Sequence, residues 1–140
     1  GPEAMFYMLL PKLLGLAERA WSPDPAWTTA PEADRKTLRE QEWSGFAHRV
    51  GQLEFTRLEQ LFGGYAFRLP RPGIRIENGE LWVNVETPGL YLRYTLDGSE
   101  PTADSHRWEA PVPVADGQEV QVRAFTPSGQ RAGGVMRVGN

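Results

Sequence analysis

Cysteine is absent from this sequence of 140 residues, which excludes a disulfide framework and any metal site built from thiolates. An excess of basic residues is also missing. The formal net charge is −3 and no run of lysine or arginine stands out, so we expect no nucleic-acid partner. The opening residues lack the basic start and small-residue cleavage site of a secretory signal, and a signal in a longer protein would lie upstream.

The common sequence motifs of active sites are missing as well. There is no Gly-x-Ser-x-Gly elbow, phosphate loop, dinucleotide fingerprint or His-Glu-x-x-His. His48 and His106 fall in different predicted bodies, so we expect ordinary surface or interface histidines. Asp97 and Glu100 are the nearest carboxylate pair in a conspicuous motif, but they flank a turn, where aspartate usually bonds its own backbone. We therefore predict no catalytic residue, no metal and no cofactor in this chain.

The most apolar stretch opens the chain and runs from Ala4 to Trp21. A helix that is apolar on nearly every side belongs inside a large protein or a membrane. A membrane span is the weaker reading, because the stretch barely reaches the ~20 residues that a bilayer requires and contains three charges. The three are Lys12, Glu18 and Arg19. We expect a helix that is buried by neighbours in a larger protein, with a kink or restart at Pro11.

Several features of this stretch have two interpretations. Gly1-Pro2 is either a native helix start or the remnant of a tag. Gly15 either permits close packing or is merely tolerated. Glu18-Arg19 is either a substrate contact or, as we favour, an ion pair that fixes the helix. In the absence of its neighbours, we expect the first helix to fold back on a second helix or to pair with another copy of the chain.

The remaining sequence predicts a second helix followed by strands. Two closely spaced prolines end the first helix after Trp21. Asp34 is a predicted N-cap for a helix that starts near Arg35, and Gly63-Gly64 is a predicted stop. After Gly73 the period changes from helical to alternating. The predicted strands are Glu80–Glu86, Leu90–Leu96, Glu119–Phe125 and one near residues 133–138.

These elements predict an α+β chain in which two helices precede a small antiparallel, immunoglobulin-like β-sandwich. The predicted divisions are a helical part at 1–64, a linker at 65–73 and a β domain at 74–140. Within the β domain, Trp82, Tyr91 and Trp108 offer aromatic faces for sugar rings. The alternative is that these three side chains pack within the protein.

Two stretches together resemble the family-20 glycoside hydrolases, the β-N-acetylhexosaminidases and chitobiases. Leu-Leu-Pro-Lys-Leu-Leu-Gly-Leu-Ala-Glu-Arg-Ala-Trp, ending at Trp21, is similar to the end of their catalytic barrel. Tyr-Thr-Leu-Asp-Gly-Ser-Glu-Pro-Thr, ending at Thr102, is similar to a hairpin in the C-terminal domain of bacterial members. The residues that carry these motifs are Glu18, Arg19, Trp21, Tyr94, Asp97, Gly98, Ser99, Pro101 and Thr102.

The resemblance implies that the helices are the end of a (β/α)₈ barrel and that the parent protein removes terminal N-acetylhexosamine. It also implies a periplasmic or secreted location for the parent. The family's catalytic Asp–Glu pair lies upstream and has no counterpart here, so this fragment is expected to be inert. Its expected partner is the missing barrel, which the β domain braces. The alternative role for the β domain is a carbohydrate-binding module.

Overall fold

The computed structural model describes residues 1–139. These residues divide into two compact units, Gly1–Phe67 and a second unit that begins at Arg68. The division falls inside the segment 65–73, for which the sequence predicts a linker.

The first unit is entirely helical. Its elements are α1 (Pro2–Leu9), α2 (Lys12–Trp21), α3 (Ala26–Thr29), α4 (Glu32–Arg49), a π-helical segment (Val50–Glu54), α5 (Phe55–Gln60) and a 3₁₀ turn (Leu61–Gly63). The first predicted helix restarts after Pro11, because proline removes one backbone hydrogen bond from the helix. The second predicted helix corresponds to α4, the π-helical segment and α5, while the short α3 lies in the predicted loop.

The prediction that Asp34 caps the second helix was wrong. Helix α4 begins at Glu32, and Pro31 occupies the N-cap position with a φ of −54°. A proline ring fixes φ near this value and therefore sets the chain up to enter a helix. Gly51 is buried within the π-helical segment. The predicted stop at Gly63 and Gly64 is present, since both residues have a positive φ that glycine adopts without strain.

The helical unit buries few of its apolar residues in α1 and α2. Neither helix contains a buried residue. Burial is concentrated further along the chain, where Phe55 and Phe67 stack with ring centroids 5.2 Å apart. The large apolar side chains of the first two helices that remain exposed are Met5, Tyr7, Met8, Leu9, Leu13, Leu16 and Trp21. No helix within residues 1–139 is long and apolar enough to cross a membrane.

The second unit is a sandwich of two antiparallel sheets. Its strands are β1 (Gly73–Glu77), β2 (Glu80–Asn84), β3 (Tyr91–Thr95), β4 (His106–Arg107), β5 (Val112–Pro113), β6 (Glu119–Phe125) and β7 (Met136–Gly139). One sheet has the order β1-β2-β5 and the other has the order β4-β3-β6-β7. The predicted α+β class and β-sandwich are therefore confirmed. In the immunoglobulin constant type the fourth strand joins the first sheet, whereas here β4 pairs with β3.

Alternation along the longest strands builds the sandwich core. Leu81 in β2 and both Val120 and Val122 in β6 are fully buried. Their side chains point inwards because residues two apart in a strand share a face. The sequence did not predict β1, β4 or β5. The last two contain only two residues each, which is too short for alternation to be recognised.

Trp108 connects the two sheets. Its backbone N–H donates to the carbonyl oxygen of Leu92 in β3 at 2.7 Å. Its indole N–H donates to the carbonyl oxygen of Leu81 in β2 at 3.1 Å. One residue therefore bonds to a strand of each sheet.

Replacing Trp108 by phenylalanine removes the indole donor and keeps an aromatic ring. We expect a loss of about 1 kcal/mol in the free energy of unfolding, because an intramolecular hydrogen bond contributes about that much. Urea denaturation followed by far-UV circular dichroism measures the change. Trp21, which is 85% exposed, provides the matched control: Trp21→Phe is expected to change the same quantity by less than about 0.5 kcal/mol. Equal stability of the Trp108→Phe variant and the parent chain would contradict the role of the indole bond.

Candidate functional site

The predicted hairpin motif forms a long connection between β3 and β4. The motif contains the turn at Asp97 and Gly98, and the next strand begins only at His106. Thr95 at the end of β3 donates its hydroxyl to the carbonyl oxygen of Ser99 at 2.5 Å. Further along, the hydroxyl of Ser105 accepts from the backbone N–H of Thr102 at 2.9 Å. Hydrogen bonds within the loop therefore fix its backbone between the Asp97-Gly98 turn and the start of β4.

The carboxylate of Asp97 is bound within its own turn. Its Oδ1 accepts from the Ser99 hydroxyl at 2.6 Å and from the Ser99 backbone N–H at 3.0 Å. These two bonds, the hydroxyl bond first, hold the pKa of Asp97 below its ordinary value. The group has the local role that aspartate usually takes in a turn.

Gly98 brings this loop against strand β6. Its φ is +75° and its N–H donates to the carbonyl oxygen of Glu119 at 2.9 Å. A Cβ at this position would lie 2.6 Å from a carboxylate oxygen of Glu119. Gln121 also donates its side-chain amide to the carbonyl oxygen of Gly98. The positive φ therefore favours glycine here, and a side chain at this position would also displace the Glu119 carboxylate.

Glu100 and Asp97 do not converge on a common cleft. Glu100 forms an ion pair with Arg123 of β6 at 2.5 Å, and Arg123 also donates to the carbonyl oxygen of Gly133 at 2.7 Å. The two carboxylates therefore have separate structural partners. Pro101 of the same motif is almost fully buried, and Tyr94 lies beside the exposed His106 with ring centroids 5.9 Å apart.

The three aromatic candidates lie in different environments. Trp82 is on β2 and 38% exposed, whereas Trp108 bonds to both sheets. Tyr91 is on β3, and the guanidinium carbon of Arg107 lies 3.8 Å from the centroid of its ring. No ring contact within residues 1–139 joins any two of the three candidates. Of the three residues Trp82 is exposed, whereas Tyr91 and Trp108 are half-buried.

The motif residues of the helical unit, Glu18, Arg19 and Trp21, lie in three different environments. Glu18 in α2 pairs with Arg49 in α4 at 2.5 Å, so its partner is not the neighbouring Arg19. Arg19 lines an open cleft of about 220 Å³ in the helical unit, together with Trp27 and Trp43. The carboxylate of Glu42 in this cleft accepts from the backbone N–H of Ala26 at 2.9 Å. Trp21 is almost fully exposed.

Sequence reasoning did not identify Arg49, Gln121 or Arg123 as the partners of the two motifs. Alternation along β6 places Gln121 and Arg123 on one face of the strand, and this pattern is the only sequence signal for the two residues. It does not identify their partners, because strand pairing depends on residues that are distant in the sequence. The two histidines lie in separate units, and His48 bonds through Nδ1 to the carbonyl oxygen of Ser44 at 2.7 Å. No group of histidine and carboxylate side chains in residues 1–139 has the arrangement to hold a metal ion.

Residues 54–135 match the family model described as the chitobiase/beta-hexosaminidase C-terminal domain. The chain belongs to this family. The matched residues include the last part of the helical unit, all of the Asp97 loop and the aromatic candidates of the sandwich.

Two relatives extend the comparison. The chain is 32% identical over 148 residues to N,N'-diacetylchitobiase of Vibrio harveyi, in a match that covers 97% of the chain and 16% of the relative. It is 29% identical over 109 residues to beta-hexosaminidase of Vibrio vulnificus, in a match that covers 66% of the chain and 13% of the relative. The chain therefore spans about a sixth or less of the length of either relative. The resemblance stated from the sequence is confirmed.

Replacing Ser99 by alanine is expected to raise the pKa of Asp97 part of the way towards its ordinary value. The hydroxyl bond is lost and the backbone N–H bond remains. NMR titration of the side-chain carboxyl carbon measures the shift, and Ser44→Ala in α4 is the control that should leave it unchanged. An unshifted pKa in the Ser99→Ala variant would refute the assignment of the hydroxyl as the main cause.

The same shift gives the sign of a pH effect on stability. Because the pKa of Asp97 is lower in the folded chain than the value of about 3.9 in the unfolded chain, its contribution is fully present above pH 3.9. The contribution is lost as the pH falls through the folded pKa. Urea denaturation at several pH values in this acid range should therefore show a weaker pH dependence for Ser99→Ala than for the parent chain. An identical pH dependence would contradict the linkage.

Proposed function

We propose that this chain is the non-catalytic C-terminal part of a β-N-acetylhexosaminidase, an enzyme that hydrolyses terminal N-acetylhexosamine residues. In this proposal α1 and α2 pack against the catalytic barrel of the longer protein, and the β-sandwich braces that barrel. The two relatives are named as a chitobiase and a hexosaminidase, and these names support the reaction class.

The observation that carries the proposal is the exposed apolar surface of α1 and α2. Met8 is 62% exposed and Leu16 is 65% exposed. Both residues lie in the part of the sequence that is similar to the chitobiase, because that match covers 97% of the chain. Exposed apolar surface of this extent marks an interaction site. A helix at the outer ring of a (β/α)₈ barrel has such a neighbour on its inner side.

The carboxylates of the hairpin motif support the non-catalytic part of the proposal. A glycosidase needs two carboxyl groups that flank the scissile bond. Here the Asp97 carboxylate accepts a hydrogen bond from Ser99, and the Glu100 carboxylate forms an ion pair with Arg123. We assign these residues to the rigidity of the loop.

Hydrolysis of a chromogenic N-acetyl-β-glucosaminide tests the reaction class. The chain alone is expected to release no chromophore, whereas the longer protein that contains the upstream residues is expected to be active. Release of chromophore by the chain alone, or an inactive and correctly folded longer protein, would overturn the proposal.

The packing of α1 and α2 is tested by Leu16→Ser. In the chain alone, this variant should bind less hydrophobic dye and self-associate less in sedimentation velocity, because it removes exposed apolar area. In the longer protein it should lower the free energy of unfolding by about 2 kcal/mol or more, because truncating a buried leucine costs this much.

Leu53→Ser is the contrasting variant, since Leu53 is 54% exposed and lies outside α1 and α2. We expect it to change the stability of the longer protein by less than Leu16→Ser does. No effect of Leu16→Ser in the longer protein would mean that the barrel does not cover α2.

A sugar-binding accessory role remains the second candidate function. The three-ring platform that the sequence suggests lacks ring contacts among its members. The exposed ring of Trp82 favours a smaller site.

A further inference from the structure

A shallow depression lies on the outer face of strands β1 and β2. The register places Gly73 opposite Asn84 and Arg75 opposite Trp82. The side chains of these two cross-strand pairs share the outer face, because Leu81 and Val83 between them are buried on the inner face. The depression measures about 400 Å³ and is lined by Gly73, Ile74, Arg75, Trp82, Val83 and Asn84.

The amide of Asn84 lies against the backbone of β1. A Cβ at Gly73 would overlap with Oδ1 of Asn84, so a larger residue at this position would displace the amide. No hydrogen bond from this amide to another side chain or to the backbone is present within residues 1–139. The Asn84 side chain therefore offers a donor and an acceptor to a ligand beside the Trp82 ring.

The indole ring of Trp82 lies beside the side chain of Arg75 on the neighbouring strand. The guanidinium carbon of Arg75 lies 5.7 Å from the ring centroid, and Arg75 pairs with Glu77 at 2.9 Å. Residue Trp82 is 38% exposed. A rigid aromatic surface binds a flat apolar partner without a large loss of side-chain freedom.

The charges around the depression select against anions. The next cross-strand pair is Glu77 opposite Glu80, which places two carboxylates beside Arg75 and Trp82. The positive charge of Arg75 is already compensated by Glu77. A neutral ligand with one apolar face and with amide or hydroxyl groups at its edge fits these constraints, and a pyranose ring has this chemistry.

We propose that Trp82 and Asn84 bind one N-acetylhexosamine unit of a neutral oligosaccharide on this face. The apolar C–H face of the sugar stacks on the indole. The acetamido group pairs with the Asn84 amide, which matches it in having one carbonyl acceptor and N–H donors. The choice of an N-acetylated sugar rests on the proposed function, whereas the site itself rests on the geometry of β1 and β2. A single ring and a single amide predict a dissociation constant on the order of 1–10 mM.

The test is an NMR titration of the 140-residue chain with N-acetylglucosamine, N,N'-diacetylchitobiose and cellobiose. We expect the indole N–H signal of Trp82 and the side-chain amide of Asn84 to shift with both N-acetylated sugars. Cellobiose is expected to bind at least about threefold more weakly, because it lacks the acetamido group that pairs with Asn84. Absence of a shift at Trp82 with any sugar would overturn the site, and equal affinity for cellobiose would overturn the assigned sugar class.

Variants separate the site from general effects of folding. Trp82→Ala should weaken binding at least tenfold, and Trp21→Ala, which removes an exposed tryptophan of the helical unit, should leave it unchanged. Gly73→Ala keeps the Trp82 ring and displaces the Asn84 amide, so it should reduce the preference for N-acetylated sugars even if Trp82→Ala does not fold. Unaltered binding by both Trp82→Ala and Gly73→Ala would overturn the proposal.

The titration uses the chain itself, and the hydrolysis assay uses the longer protein. Failure of the titration therefore leaves the hexosaminidase assignment standing. If the longer protein is inactive but sugar binding at Trp82 is intact, the hexosaminidase assignment is overturned and the proposed binding site still stands.

Discussion

Trp108 links the two sheets of the β unit by hydrogen bonds to the backbone of each. Sheets in a sandwich pack face to face through the side chains of their inner faces. The bonds from Trp108 to Leu92 and to Leu81 add a polar link between β3 and β2. Leu81 of β2 and both Val120 and Val122 of β6 are fully buried in the same unit.

The Asp97 loop is bonded to β6, the strand beside β3 in the same sheet. Gly98 bonds to the backbone of β6, while Glu100 reaches Arg123 on the same strand. The conspicuous polar residues of the motif therefore act on the loop and on β6. A motif that combines aspartate, glycine, serine and glutamate has the composition of an active site, and its chemistry is used here to hold a backbone.

Local patterns in the sequence were sufficient for the features that depend on a few neighbouring residues. The restart at Pro11 follows from a missing backbone donor, and the strand Glu119–Phe125 follows from strict alternation. The N-cap at Pro31 was missed because Asp34 is also a good capping residue, and the choice depends on where the preceding loop delivers the chain. The two-residue strands β4 and β5 carry no periodic signal, because their pairing is decided by β3 and β2.

For the aromatic residues of the candidate site, too, the sequence predicts local features and not the contacts between strands. Alternation placed Trp82 and Asn84 on one face of β2, and that face carries the depression. The sequence could not show that Trp108 bonds to both sheets or that Arg107 covers Tyr91, because these partners come from other strands. Gly73 was read as the end of a linker. Its pairing with Asn84 requires the β1–β2 register, which only the folded sheet provides.

The lengths of the outermost strands affect the behaviour of the unit in concentrated solution. An open sheet edge presents unpaired backbone groups to which a strand from another molecule can add. Here β4 and β5 each end a sheet with only two residues, and β5 contains Pro113, which has no N–H to donate. Two of the four sheet edges therefore offer almost no template for the addition of a strand from another molecule.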